Sequence, residues 1–216
     1  MKSVIQFEDF QYDVERLQLE LISVEKHLWK EHYAVKYFDG CWDSIPLVGP
    51  NDERYLQGAE SKSTRNNILK NLPYVEQIID SLPGEKRLVR FLRLASGAII
   101  KEHRDHERCW AFGVVRLHIP IVTNDQVFFF VNRKRVVMKP GELWYLDLQH
   151  RHSVRNEGSV DRVHLVLDII LNNELRQLFP RDSAFGFIAN IYSKLRLQLR
   201  TRRRARRQRK FPNKRI

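Results

Sequence analysis

The spacing of apolar positions divides the chain into stretches of different character. Over residues 13–30, Val14, Leu17, Leu19, Leu21, Ile22, Val24 and Leu28 recur at loosely helical intervals and predict a helical segment flanking a core. Residues 40–58 carry Gly40, Pro46, Gly49 and Pro50, and read as turns without a regular element. Residues 66–81 return to a helical pattern, with Pro73 near the middle dividing one helix or separating two shorter ones. From Arg87 to Leu171 the period drops to two. Candidate strands run over 88–95, 113–121, 126–131, 134–138, 143–147 and 162–170. Turn signals separate them, among them Asn132-Arg133 and Pro140-Gly141, the latter suited to the centre of a type II turn. Residues 172–200 are again helical in character, with Leu175, Leu178, Phe179, Phe185 and Ile188 available for packing. Short strands joined by tight turns predict a sandwich or barrel with flanking helices rather than βαβ units.

Composition changes this picture in one place. The 216 residues include 38 Lys and Arg against 26 Asp and Glu, a formal net of +12. Twelve of the basic residues, and no acid, fall between Lys194 and Ile216, leaving 26 basic against 26 acidic groups in residues 1–193. The excess charge therefore belongs to a basic tail. Such a block suits nucleic acid, an acidic membrane surface, or an acidic peptide or carrier, or serves only as a solubilising appendage. The body shows no second basic patch interleaved with aromatics, so a nucleic-acid-binding fold is not expected. An apolar share of 43% excludes a disordered chain, and no window is long and apolar enough to span a membrane. The N-terminal residues place acids where an export signal needs an apolar run. With only Cys41 and Cys109, the expectation is a cytoplasmic protein with reduced thiols.

The candidate chemistry lies on and beside the strands. In 114–121 the apolar residues alternate with Arg116 and His118, and in 162–168 they alternate with Arg162, His164 and Asp168. A polar strand face usually meets water, but in a small barrel it can line a ligand-holding interior. His103 and Asp105 are two residues apart near the end of an extended segment, and His152 lies 49 residues on. Two imidazoles and one carboxylate on one face of a metal leave positions open for a chelating substrate and O2, as in non-haem Fe(II) oxygenases. Arg162, ten residues after His152, supplies the fixed fork that the far carboxylate of a chelating dicarboxylate needs. His106 and His150 stand beside these positions as alternative ligands; the spacing from His152 to Asn156 and Arg162 favours His152 over His150. Arg93 is a further candidate for a substrate carboxylate, against the plainer reading of a surface arginine.

Taken in order, H-R-D (103–105), R-L-H-I-P (116–120), G-E-L-W-Y-L-D (141–147), H-S-V-R-N (152–156) and R-V-H-L-V-L-D (162–168) resemble the aspartyl/asparaginyl β-hydroxylase family. The segment H-Y-A-V-K-Y-F-D-G-C-W-D-S-I-P-L (32–47) also resembles that family's sequence before the barrel, so the likeness runs from about His32 to Asn173. The resemblance implies a double-stranded β-helix of the cupin or jelly-roll kind. It also implies Fe(II) and 2-oxoglutarate dependence, and O2-driven hydroxylation of an amino acid, free or peptidyl, with release of succinate and CO2. It makes His103, Asp105 and His152 the metal ligands and sets Arg162 on the distal carboxylate of 2-oxoglutarate. It puts His118 on the co-substrate and Arg116 near a substrate carboxylate. Asp105 matches the carboxylate ligand of the free-standing bacterial members, such as proline cis-4-hydroxylase, which the animal peptidyl enzymes lack. The implied organisation is an N-terminal helical segment (1–33), a dioxygenase domain (34–175), a C-terminal helical segment (176–193) and the basic tail (194–216). The alternative is a metal-binding cupin acting as a binding or regulatory module, brought to nucleic acid or an acidic partner by the tail.

Overall fold

The computed structural model describes residues 3–24, 26–49, 63–105 and 113–180. Among the described residues, thirteen strands form two antiparallel sheets. They are β1 (Val4–Gln11), β2 (Lys30–Glu31), β3 (Phe38–Asp39), β4 (Trp42–Gly49), β5 (Thr64–Arg65), β6 (Lys86–Leu94) and β7 (Ile99–His103). The remainder are β8 (Val114–Val122), β9 (Val127–Val131), β10 (Lys134–Val136), β11 (Glu142–Leu146), β12 (His152–Asn156) and β13 (Arg162–Ile170). The major sheet has the order β1-β11-β8-β13-β6-β4-β2, with β5 paired to β4, and the minor sheet the order β10-β9-β12-β7-β3. Neighbours in space are mostly distant in sequence, the double-stranded β-helix topology that the resemblance implied.

Alternation along the strands gives the major sheet two unlike faces. Ile45, Phe91, Val115, Leu117, Ile119, Leu165 and Leu167 point outward, where α1 (Val14–Ser23) and α2 (Pro73–Ser81) cover them with Leu17, Val75, Ile78 and Ile79. Each of those fully buried side chains stabilises the fold by about 1.5–3 kcal/mol relative to exposure. The helices are fastened at their starts. Asp13 accepts the Arg16 backbone N–H at 3.1 Å, and the Glu20 carboxylate of α1 accepts from Tyr74 and Val75 at the first turn of α2. Pro73 opens α2 after a short 3-10 turn (Asn67–Asn71), so the pattern over 66–81 resolves into two helices.

The inner face of the major sheet meets the minor sheet across a second apolar cluster that includes Trp42, Leu92, Leu94, Ile100, Phe129, Val131 and Val154. Two tight turns hold the sheets in register. Asn132 and Arg133 both have positive φ (49° and 64°) in the β9–β10 hairpin, the conformation of a type I′ turn. Pro140-Gly141 is closed by the Glu142 N–H to Lys139 O, with Gly141 at φ +80° and pressed against Gln11 and Tyr12, leaving no room for a side chain.

Several expectations are corrected. Residues 42–49, read as turns, are an edgeward strand; its Pro46 is tolerated because the ladder to β6 shifts register there. The N-terminal segment is not purely helical or separate. Val4–Gln11 pairs with β11 as an edge strand of the major sheet. Residues 172–200 begin with a one-turn helix, α3 (Asn173–Gln177), capped by Asn172; the part beyond Pro180, the basic tail and His106, Cys109 and Trp110 lie outside the described residues. No helix among the described residues is long and apolar enough to cross a membrane.

Candidate metal and anion site

Strands β7 and β12 are antiparallel neighbours, with His152 directly opposite His103 and their rings 4.2 Å apart. Each imidazole donates from Nδ1 to the carbonyl two residues earlier, His103 to Lys101 at 2.7 Å and His152 to His150 at 3.1 Å. A carbonyl only accepts, so each Nδ1 carries the proton and each Nε2 keeps its lone pair. Asp105, just past β7, is pinned by its backbone N–H to Leu148 O at 2.8 Å, and its Oδ1 lies 3.6 Å from His103 Nε2. One ligating atom from each of His103, Asp105 and His152 falls within 4.8 Å of the other two. Burial, opposed by Asp105 and helped by His103, pushes the His152 imidazole down to about 4, so it is a neutral donor at neutral pH. This nitrogen and oxygen set fits a divalent first-row metal with open positions. His150, by contrast, is 44% exposed at its side chain and 3.9 Å from Asp147. Between the two alternatives, His152 is the one brought to the cluster.

Behind this cluster the inner face of the major sheet is polar, because the pairings Asp168↔Arg116, Val166↔His118 and His164↔Pro120 keep one set of positions pointing inward. Arg162 sits at the deep end of β13. It is 2% exposed, donates from Nη2 to His164 Nδ1 at 2.9 Å, and its Nε has no hydrogen-bond partner among the described residues. No carboxylate among the described residues pairs with it, and burial alone pulls it well below the ordinary arginine range, to about 9. A buried guanidinium in that condition carries an uncompensated charge that an anion would offset. His118, between Arg162 and the three-residue cluster, has both ring nitrogens buried and without a hydrogen-bond partner among the described residues; burial and the charges of Arg162 and Arg116 hold it far below its usual value. A cavity of about 300 Å³ beside Phe129, Met138 and His164 reaches this end of the barrel.

Arg116 is held by two carboxylates. Its guanidinium is gripped by Asp168, Nε to Oδ1 at 2.6 Å and Nη2 to Oδ2 at 2.8 Å, and Nη1 reaches Asp105 Oδ2 at 2.5 Å. Although burial opposes it, the two carboxylates raise Arg116 above its ordinary value, so it is charged at every accessible pH. The expectation for Arg93 is corrected outright. It pairs in register with Val163 and Asp43, on the opposite face from Arg162, salt-bridges Asp43 and lies over the Trp29 ring. Arg90 holds the inward position on that strand, opposite Val166.

Two residues beside the cluster have no role in the sequence reading. Asp168 is named there only for its place on the polar face of its strand, and Tyr37, whose ring stacks on His103 at 4.8 Å, only as part of the 32–47 segment. Asn156 shapes the β12–β13 turn that delivers Arg162. Fully buried, it donates to Leu94 O and Val160 O and accepts from Gly158 N and Asn124 Nδ2.

A double-stranded β-helix with two imidazoles and a carboxylate at one end, and behind them a buried arginine with no carboxylate partner among the described residues, has the architecture of the 2-oxoglutarate oxygenases. Residues 10–171 match the aspartyl/asparaginyl β-hydroxylase family, and the chain belongs to it. Among curated proteins it is similar to L-proline cis-4-hydroxylase of Rhizobium meliloti (strain 1021), 26% identical over 163 residues covering 73% of this chain and 57% of that protein. It is also similar to L-proline cis-3-hydroxylase 1 of a Streptomyces species, 26% identical over 186 residues covering 81% of this chain and 61% of that protein. The chain thus spans about three fifths of the length of these relatives. Among solved structures, an oxidoreductase of the 2OG-Fe(II) oxygenase family from Burkholderia pseudomallei shares the fold, with a TM-score of 0.55 and 13% identity over 79% of this chain and 85% of that one.

Proposed function

We propose that this chain is an Fe(II)- and 2-oxoglutarate-dependent dioxygenase that hydroxylates a C–H bond of an amino acid, free or within a peptide. His103, Asp105 and His152 hold the metal in this reading, through the two Nε2 atoms and one aspartate oxygen. Bound Fe(II), with 2-oxoglutarate and O2 as co-substrates, supplies the oxidising chemistry and leaves succinate and CO2. The protein's part is to place and to shield. Arg162 receives the distal carboxylate of 2-oxoglutarate, an anion that satisfies its open Nε and relieves its burial penalty. His118 offers an N–H to the co-substrate between metal and anchor. The apolar cluster between the sheets keeps water from the reacting atoms. The proline hydroxylase relatives favour a small amino-acid substrate, and the work is assigned to the cytoplasm, where exposed Cys41 stays reduced.

The observation that carries this reading is the pairing of a three-ligand cluster with a buried arginine that has no carboxylate of its own. The test is succinate formation by the purified chain with Fe(II), 2-oxoglutarate and a panel of amino acids and short peptides, with mass spectrometry for the gain of one oxygen. His103→Ala and His152→Ala should each abolish both products. Undiminished turnover in both variants would refute the ligand assignment.

A further inference from the structure

Asp105 has two carboxylate oxygens, and the structure treats them differently. Oδ1 faces His103 Nε2 at 3.6 Å, inside the cluster, whereas Oδ2 accepts from Arg116 Nη1 at 2.5 Å. Arg116 is not free to swing. Asp168 holds its Nε and Nη2 in a two-pronged grip at 2.6 and 2.8 Å, and both residues are at most 5% exposed. The β8–β13 register sets them directly opposite each other. A planar guanidinium so clamped presents its remaining nitrogen in one direction only, toward Asp105.

We infer that Arg116, held by Asp168, is a positioning residue that occupies Oδ2 of Asp105 and so limits this aspartate to one bond with the metal. The inference rests on the proposed metal site and deepens it. A carboxylate free at both oxygens can bind a cation through both and consume a second coordination position. Two imidazoles and a singly bound carboxylate leave three positions of an octahedron, two for a chelating 2-oxoacid and one for O2. With a doubly bound aspartate, the chelate and O2 compete for what remains. On this account Arg116 acts on co-substrate binding through Asp105, and contact with an amino-acid substrate is not its function.

The experiment uses Mn(II) as probe on the purified full chain, with water proton relaxation to count exchangeable waters on the metal and calorimetry for Mn(II) and 2-oxoglutarate affinity. The main variant is Arg116→Met with Asp168→Asn, which removes both charges of the buried Arg116–Asp168 pair together. It should lower the inner-sphere relaxivity by about a third, one water of three, since the freed oxygen takes its place. Mn(II) affinity should hold or tighten, while 2-oxoglutarate affinity for the Mn(II)-loaded protein falls by about tenfold, the worth of one charge-assisted contact. Arg116→Lys, which keeps a cation near Asp105, should restore most of the wild-type relaxivity. Should the double variant not fold, Arg116→Gln, which keeps a donor for Asp168 but is too short for Asp105, must show the same fall. Unchanged relaxivity in a folded variant would overturn the inference, as would a change confined to the KM of an amino-acid substrate. Wild-type Mn(II) affinity in His103→Ala would instead refute the underlying metal site, which separates the two failures.

Discussion

Arg162→Met should make the protein more stable and deprive it of its co-substrate. Met fills a similar volume without a charge, and the site gives Arg162 one hydrogen bond, to His164, but no carboxylate. The fall from the ordinary arginine range to about 9 corresponds to about 5 kcal/mol of unfavourable burial, at about 1.36 kcal/mol per pH unit. The lost hydrogen bond and imperfect repacking offset part of this, leaving a net gain of about 1–3 kcal/mol. For a chain of this size that raises Tm by about 2–12 °C in the ligand-free state. Saturating 2-oxoglutarate with Mn(II) should then stabilise the wild type by about 2.7 kcal/mol at a hundredfold excess over Kd. The variant should respond to Mn(II) alone and show no further rise with 2-oxoglutarate. Differential scanning fluorimetry under the three conditions reads both effects. A variant less stable than wild type without ligand would refute the reasoning about an uncompensated charge. A 2-oxoglutarate-dependent shift retained in full would refute the anchor.

Other outcomes follow from the same geometry. His118 and His164 are buried and held well below the ordinary histidine value, so the unfolded chain takes up their protons first as pH falls. Stability should be flat above about pH 7 and decline below about 6.5 by up to about 1.4 kcal/mol per pH unit for each, read from urea midpoints at pH 7, 6 and 5; a midpoint unchanged over that range would contradict it. Asn156→Ala strips four hydrogen bonds from the β12–β13 turn and should cost about 2–4 kcal/mol while raising the KM for 2-oxoglutarate, checked by thermal melts and steady-state kinetics. Arg93→Ala removes ion pairs to Asp43 and, at 3.9 Å, to Asp161, together with the Trp29 contact on the outer face. It should leave turnover within about twofold and stability within about 1 kcal/mol; a large loss of 2-oxoglutarate turnover would restore it to the site.

The strands that carry the polar interior were legible because alternation is local. Arg116 and His118, or Arg162, His164 and Asp168, share a side of a strand whatever the topology. The tight turns were legible for the same reason, since Pro140-Gly141 is a local backbone preference. Strand β4 was not, because Pro46 and the flanking glycines look like turn chemistry, and only the shift in its ladder to β6 accommodates them. The same limit explains Arg93. Alternation on β6 separates Arg90 from Arg93 but does not say which of the two faces turns inward, a matter decided by pairing with β13. Partners across strands are equally invisible to spacing, and so the Asp168–Arg116–Asp105 contacts emerge only once β8 and β13 are laid side by side.

The two halves of the site belong to different sheets. The histidines of the proposed metal site, His103 and His152, stand on β7 and β12 of the minor sheet, while Arg162 stands on β13 of the major one. Anything gripped at both ends must therefore bridge the gap between them, and packed sheets keep that gap near ~10 Å. The sandwich acts as a caliper. Thickening its apolar filling, at Val154 or Leu94 for instance, would favour a longer diacid without touching any group that binds it.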